Sequence, residues 1–198
     1  MNTPRSLPQS GFTMLEVLVS LVILVFGLLG MVGLQARAQV ATFESYQRGQ
    51  ALILMQDMAD RISTNRNAAG CYNLTTNTTT GTPYLGMGYA GTPVCAAAVG
   101  TAATRALADA DLQAWNNALQ GAAETAGVDK VGGMLGARGC VSFNAASNSY
   151  RVAVAWQGMA ATVAPTAGDP AATCAKDLYG ADTQRREVSV TVRIASLI

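Results

Sequence analysis

The chain has 198 residues, half of them apolar, with 13 Lys and Arg against 12 Asp and Glu and no histidine. That length holds one globular domain plus an extended element rather than two full domains. Near-zero net charge without a basic cluster excludes strong electrostatic recruitment of nucleic acid, and the lack of histidine removes the commonest general base and metal ligand. With two tryptophans, six tyrosines and four phenylalanines, the core is expected to consist mostly of small and branched side chains.

The first element is decided by polarity. From Val17 to Leu34 the only polar side chain is Ser20. At roughly 1.5 Å per residue, residues 12–34 extend about the thickness of a bilayer hydrocarbon core as one helix. The apolar stretch is longer than the core of a cleaved secretory signal, and a glutamate, Glu16, stands at its start. Basic residues do not orient the span, because Arg5 precedes it while Arg37 and Arg48 follow it. The cysteines orient it instead: Cys71, Cys95, Cys140 and Cys174 match no zinc or Cys-x-x-Cys spacing. An even count of that kind reads as two disulfides in an oxidising compartment. Four cysteines allow three pairings, and the sequential one, Cys71 with Cys95 and Cys140 with Cys174, closes the shorter loops and is expected.

The segment Gly11-Phe12-Thr13-Met14-Leu15-Glu16, ahead of the apolar run, resembles the N-terminal signal of type IV prepilins. In that family a short polar leader ends in glycine, an aromatic residue or methionine follows, and a glutamate comes four residues later. The resemblance implies cleavage between Gly11 and Phe12 by prepilin peptidase and methylation of the new Phe12 amine. Gln9-Ser10 stand where family leaders usually carry basic residues. Glu16 also stands out physically, since an ionisable group at the edge of a membrane span is costly without a partner. Its expected partner is the Phe12 amine of an adjacent subunit. A buried pair of that kind fixes register more than it adds stability. Gly27, Gly30 and Gly33 are weak points of the same helix, each by about 1 kcal/mol relative to alanine.

Beyond Leu34 the sequence becomes polar without a turn signal. Apolar residues recur at Val40, Phe43, Ala51, Leu54, Met58 and Ile62, and no proline intervenes before Ala68-Ala69-Gly70. This predicts a single helix from about Thr13 to Arg66, its second half packed on a domain. Residues 71–101 read as a Thr-, Gly- and Pro-rich loop. Its Gly86-x-Gly88-x-x-Gly91 has no preceding strand and is followed by Pro93, so it is not a dinucleotide fingerprint. A second helix is expected near Asp109 to Gln120, capped by Asp109 or Asp111, with Leu112, Trp115 and Leu119 on one face.

Period-two alternation then marks three strands, at Val141–Phe143, Tyr150–Trp156 and Val188–Ile194, with one buried face. A long helix laid on a small antiparallel sheet gives an α+β fold, the architecture that the pilin resemblance also implies, with a cysteine-closed C-terminal region beside the sheet. The expected organisation is a leader (1–11), a membrane-spanning and assembly segment (12–34) and a periplasmic domain (35–198).

Within the family, Gly27-Leu28-Leu29-Gly30, Asp111-Leu112-Gln113-Ala114-Trp115 and Tyr150-Arg151-Val152-Ala153-Val154-Ala155-Trp156 resemble the PilV group of minor pilins. Membership would imply a subunit that helps start pilus assembly near the filament tip. Its partners would be other minor pilins, the major pilin, prepilin peptidase, the inner membrane and, at the tip, an adhesin, with no nucleic acid, cofactor or metal. A minor pseudopilin of a type II secretion system shares this N-terminus and stays open as an alternative. An enzyme would need clustered chemistry, whereas Asp109, Asp111, Asp129, Asp169, Asp177 and Asp182 are scattered. A competence pilus for DNA uptake would want a basic patch.

Overall fold

A computed structural model describes residues 11–95, 98–122, 125–127, 129–130, 132–165 and 172–194. Residues 1–10, which fall in the expected leader 1–11, and Asp169 lie outside the described residues. The chain divides into a unit ending at Phe43 and a unit beginning at Glu44. Helix α1, Met14–Thr64, supplies the first unit and the first element of the second. It runs unbroken through Gly27, Gly30, Gly33 and Gly49, within two residues of its expected ends.

In the second unit α1 buries Gln47, Ala51, Met55, Met58, Ala59 and Ile62, a stripe at spacings of three and four. Leu52 and Ile53, flanking that stripe, stay exposed. The helix ends at Asn65, whose Nδ2 donates to Tyr72 Oη at 3.1 Å and to the Thr104 carbonyl at 2.8 Å. A 3-10 turn, Arg66–Tyr72, follows and delivers Cys71 to its disulfide with Cys95.

Helix α2 spans Ala102–Leu119, beginning seven residues before the expected start. The cap is Thr101, not Asp109 or Asp111. Thr104 N donates to Thr101 Oγ1 at 3.2 Å, and Thr101 N donates to Thr104 Oγ1 at 2.8 Å. This reciprocal pair satisfies two orphan donors of the first turn, with threonine where glutamate or glutamine is usual. The alanine-rich segment 102–108 is then helical by propensity. The two aspartates serve tertiary contacts instead. Asp109 accepts from the Cys95 amide, and Asp111 accepts from Arg61 Nη1 (2.7 Å) and Tyr72 Oη (2.6 Å). Arg61 also holds Asp57 at 2.9 Å, so one guanidinium ties two turns of α1 to α2. Burial and the Asp111 contact push the Tyr72 hydroxyl pKa upward.

Leu112, Trp115 and Leu119 form the buried face of α2, as their spacing predicts. Trp115 is fully buried, and its indole N–H donates to the Leu54 carbonyl at 2.8 Å.

Beneath these helices lies a four-stranded antiparallel sheet in the order β1 (Leu85–Gly86), β4 (Arg138–Asn144), β5 (Ser149–Gln157) and β6 (Arg185–Arg193). The short β2 (Thr125–Ala126) and β3 (Asp129–Lys130) form a separate hairpin. Register pairs Val141 with Val152 and Val152 with Val190, which puts the alternating apolar residues on the face that meets the helices. Gly139 on β4 is the point of closest approach. A Cβ there would overlap the Trp115 ring and lie 2.7 Å from Leu119 Cδ1. Gly139→Ala is therefore expected to cost about 1–3 kcal/mol through overpacking, read as a lower urea midpoint with an unchanged slope.

The sheet was expected to bury one face, yet β5 buries both. Ala153 and Ala155 on its outer face pack with Cys140, Cys174, Ala175 and Tyr179. The reason is covalent: Cys140–Cys174 straps the segment after residue 172 across the outer face rather than beside the sheet. Arg185, 1% exposed, pins this strap. Its five N–H groups meet Asp182 Oδ1 (2.6 Å), Asp182 Oδ2 (3.0 Å), the Ala172 carbonyl (2.7 Å), the Cys174 carbonyl (3.2 Å) and Glu187 Oε2. In the chain-entropy account, disulfides closing loops of this size each stabilise by roughly 3–4 kcal/mol.

Candidate functional site

The expected site residues fall into two groups. Gly11, Phe12 and Glu16 lie in the first unit, and the four cysteines lie in the second. Gly11, Phe12 and Thr13 precede α1 and are exposed, so the Gly11–Phe12 peptide bond sits in non-helical backbone. Helix α1 starts because Thr13 caps it. Glu16 N meets Thr13 Oγ1 at 3.3 Å and the Thr13 carbonyl at 3.1 Å. Thr13-x-x-Glu16 is thus a capping sequence, legible by its spacing, and Thr13 is the functional-end residue that sequence reasoning missed. It makes Phe12 the last residue before the helix and places Glu16 in its first turn. A carboxylate there also meets the positive end of the helix dipole, worth about 0.3–1 kcal/mol when exposed.

Every residue from Val17 to Leu34 is exposed, and the helix is long and apolar enough to cross a membrane. Ser20 does not interrupt the apolar surface, because its hydroxyl donates back to the Val17 carbonyl at 2.8 Å. A contiguous apolar surface of this extent requires lipid or partner helices as its environment. The site is therefore an exposed apolar surface with one carboxylate at its edge. Among the described residues no cluster of Cys, Asp or Glu is arranged to hold a metal ion.

The second unit contributes rigidity. The disulfides join Cys71 to Cys95 and Cys140 to Cys174. Glu44 Oε1 accepts from the Met159 and Ala160 amides at 2.9 and 3.3 Å and from Arg186 Nη2 at 3.3 Å. That clasp ties α1 to the loop after β5 and to the start of β6. Sequence spacing gives no hint of it, since the partners are more than a hundred residues apart.

Comparison with protein families gives two adjoining matches. Residues 7–32 match the prokaryotic N-terminal methylation motif, and residues 33–113 match the type IV pilin Tt1218 family. Together they run from residue 7 to the middle of α2, and β4, β5 and β6 lie beyond them. No curated protein and no solved structure matches the chain.

Proposed function

Because the chain belongs to the type IV pilin family, we propose that it is a minor subunit of a type IV pilus that helps initiate filament assembly after its leader is removed. The observation that carries this reading is the N-terminal turn. An exposed, non-helical Gly11–Phe12 junction leads through the Thr13 cap into Glu16 and then into an apolar helix with no exposed charge before Arg37. Cleavage there would create a positive amine at Phe12, one helical turn from Glu16. On a neighbouring subunit the two would neutralise each other between apolar helices, where an unmatched charge is costly. The second unit would remain outside the cytoplasm, in keeping with its two disulfides. The assignment to the PilV group rests on the resemblance of its helix and strand segments.

The test joins processing to location. Protein extracted from membranes and from sheared pili should begin at Phe12, carry an N-methyl group, and be present in the pilus fraction well below the major subunit. An intact Met1 start in cells with active prepilin peptidase sinks the processing step. Absence from sheared pili together with co-purification with a secretion apparatus would instead favour the pseudopilin alternative.

A further inference from the structure

Two stretches of the chain, Asn73-Leu74-Thr75 and Asn77-Thr78-Thr79, match the Asn-x-Thr pattern at which glycans are attached to asparagine. Attachment needs a carboxamide nitrogen that a glycosyltransferase can reach and, two residues on, a hydroxyl that it can recognise. The fold separates the two stretches on both counts. Asn73-Leu74-Thr75 is tied to β4. Asn73 Oδ1 accepts the Phe143 amide at 3.1 Å, and the Leu74 and Thr75 amides donate to the Val141 carbonyl at 3.0 and 2.8 Å. Thr75 is 4% exposed. Its Oγ1 donates to the Pro83 carbonyl at 2.9 Å and accepts the Val141 amide at 3.2 Å. This stretch offers a transferase no hydroxyl.

Asn77-Thr78-Thr79 stands on a corner, where every residue from Thr76 to Thr80 is exposed. The loop is closed beneath it. The Asn77 amide donates to the Thr82 carbonyl at 2.9 Å, and the Gly81 and Thr82 amides donate to the Asn77 carbonyl at 2.9 and 3.2 Å. Thr173 Oγ1 anchors the corner to the strap by donating to the Thr78 carbonyl at 2.7 Å. Within this frame Asn77 Oδ1 accepts the Thr79 and Thr80 amides at 3.0 and 3.2 Å, an asparagine side-chain turn. Those two contacts have a chemical consequence. A carboxamide nitrogen is a weak nucleophile, because its lone pair is delocalised into the carbonyl. Donors already placed on Oδ1 stabilise the negative charge that the oxygen gains as Nδ2 gives up a proton. Among the described residues nothing accepts from Asn77 Nδ2 or engages Thr79 Oγ1, whereas the Thr80 and Thr82 hydroxyls bond each other at 2.8 Å. The nitrogen and the hydroxyl that the reaction needs are both uncommitted.

We infer that Asn77 is the acceptor of an N-linked glycan. In the transfer, Asn77 Nδ2 attacks the anomeric carbon of a glycosyl diphosphate. The N–C bond forms as the C–O bond to the diphosphate breaks, the diphosphate leaves with the electron pair, and the Nδ2 proton passes to a carboxylate of the transferase. The inference does not depend on the chain being a pilus subunit, since it rests on the second unit alone. It is tested on the full chain, extracted from membranes of the organism that encodes it, by peptide mass spectrometry with fragmentation that leaves sugars attached. The peptide containing Asn77 should carry a sugar increment assigned to that residue, an oligosaccharide marking a lipid-linked donor and a single hexose a nucleotide-linked one. Asn77→Gln should lose the increment. Thr79→Ala should lose it as well, although the backbone amide that donates to Asn77 Oδ1 remains, and Thr79→Ser should restore it. Both Thr79 variants should unfold at the wild-type temperature, as the position is exposed, so their difference reads recognition of the hydroxyl and not a collapsed turn. A bare Asn77 in the wild-type protein overturns the proposal. So does an increment that persists in Asn77→Gln, one assigned only to Asn73 or to a threonine hydroxyl, or full occupancy in Thr79→Ala.

Discussion

Replacing Arg185 with alanine is expected to destabilise the second unit by about 3–5 kcal/mol, the usual cost of removing one member of a buried ionic cluster. The guanidinium is 1% exposed, so water cannot take over its five contacts without opening the strap. Its removal takes away the ion pair to Glu187, whose side chain is 5% exposed, and the guanidinium donors to the buried carbonyls of Ala172 and Cys174. The disulfide Cys140–Cys174 still tethers the strap, so the loss should appear first as increased amide exchange in residues 172–184 and then as a lower urea midpoint.

The pH dependence has a definite sign. The Arg185 contact holds the Asp182 carboxyl below the usual carboxylate range. A depressed folded-state pKa stabilises above the unfolded value and loses that contribution as pH falls through the folded one. The difference between wild type and Arg185→Ala should therefore be largest near neutrality and shrink below about pH 4. A difference that stays constant into acid would mean that Arg185 acts by packing alone.

Features that depend on spacing along one element were legible in the sequence. The apolar run, the stripe of Ala51, Met58 and Ile62, the α2 face and the three alternating strands all appear where period and polarity put them. What escaped depends on partners distant in sequence or on substitutions inside a known motif. Thr101–Thr104 is a capping box without its usual acid, so the two aspartates drew the helix start seven residues too far along. Those aspartates are polar groups on a buried helix surface, and only the fold reveals Arg61, Tyr72 and the Cys95 amide as their partners. The second buried face of β5 was hidden for a related reason. Ala153 and Ala155 carry too little side chain to signal burial, and it is the disulfide strap that covers them. At the N-terminal site Glu16 was legible because charge beside an apolar run is conspicuous. Thr13 carries a weaker signal, the Thr-x-x-Glu spacing alone, with no break in polarity to mark it.

That cap gives Glu16 two separable roles. As the fourth residue of the Thr-x-x-Glu sequence, with its carboxylate in the first turn, it favours the start of α1. As a carboxylate at the edge of an apolar surface it would neutralise the Phe12 amine of an adjacent subunit. Glu16→Gln retains a side chain suited to the capping position but carries no charge, whereas Glu16→Val removes both functions. If charge pairing guides assembly, both variants should insert in the membrane and lose the leader normally, and both should be nearly absent from sheared pili. If the residue only starts the helix, Glu16→Gln should enter pili at wild-type levels while Glu16→Val alone is impaired, because the local contribution is only about 0.3–1 kcal/mol and glutamine preserves part of it. The quantity to measure is the ratio of pilus to membrane abundance for each variant, with N-terminal sequencing to confirm that processing is intact. A normal ratio for Glu16→Gln would remove intersubunit neutralisation from the mechanism and leave Glu16 as a capping residue. A collapse of the ratio in both variants would locate the requirement in the charge itself, since the side chain's size and its fit to the first turn survive in glutamine.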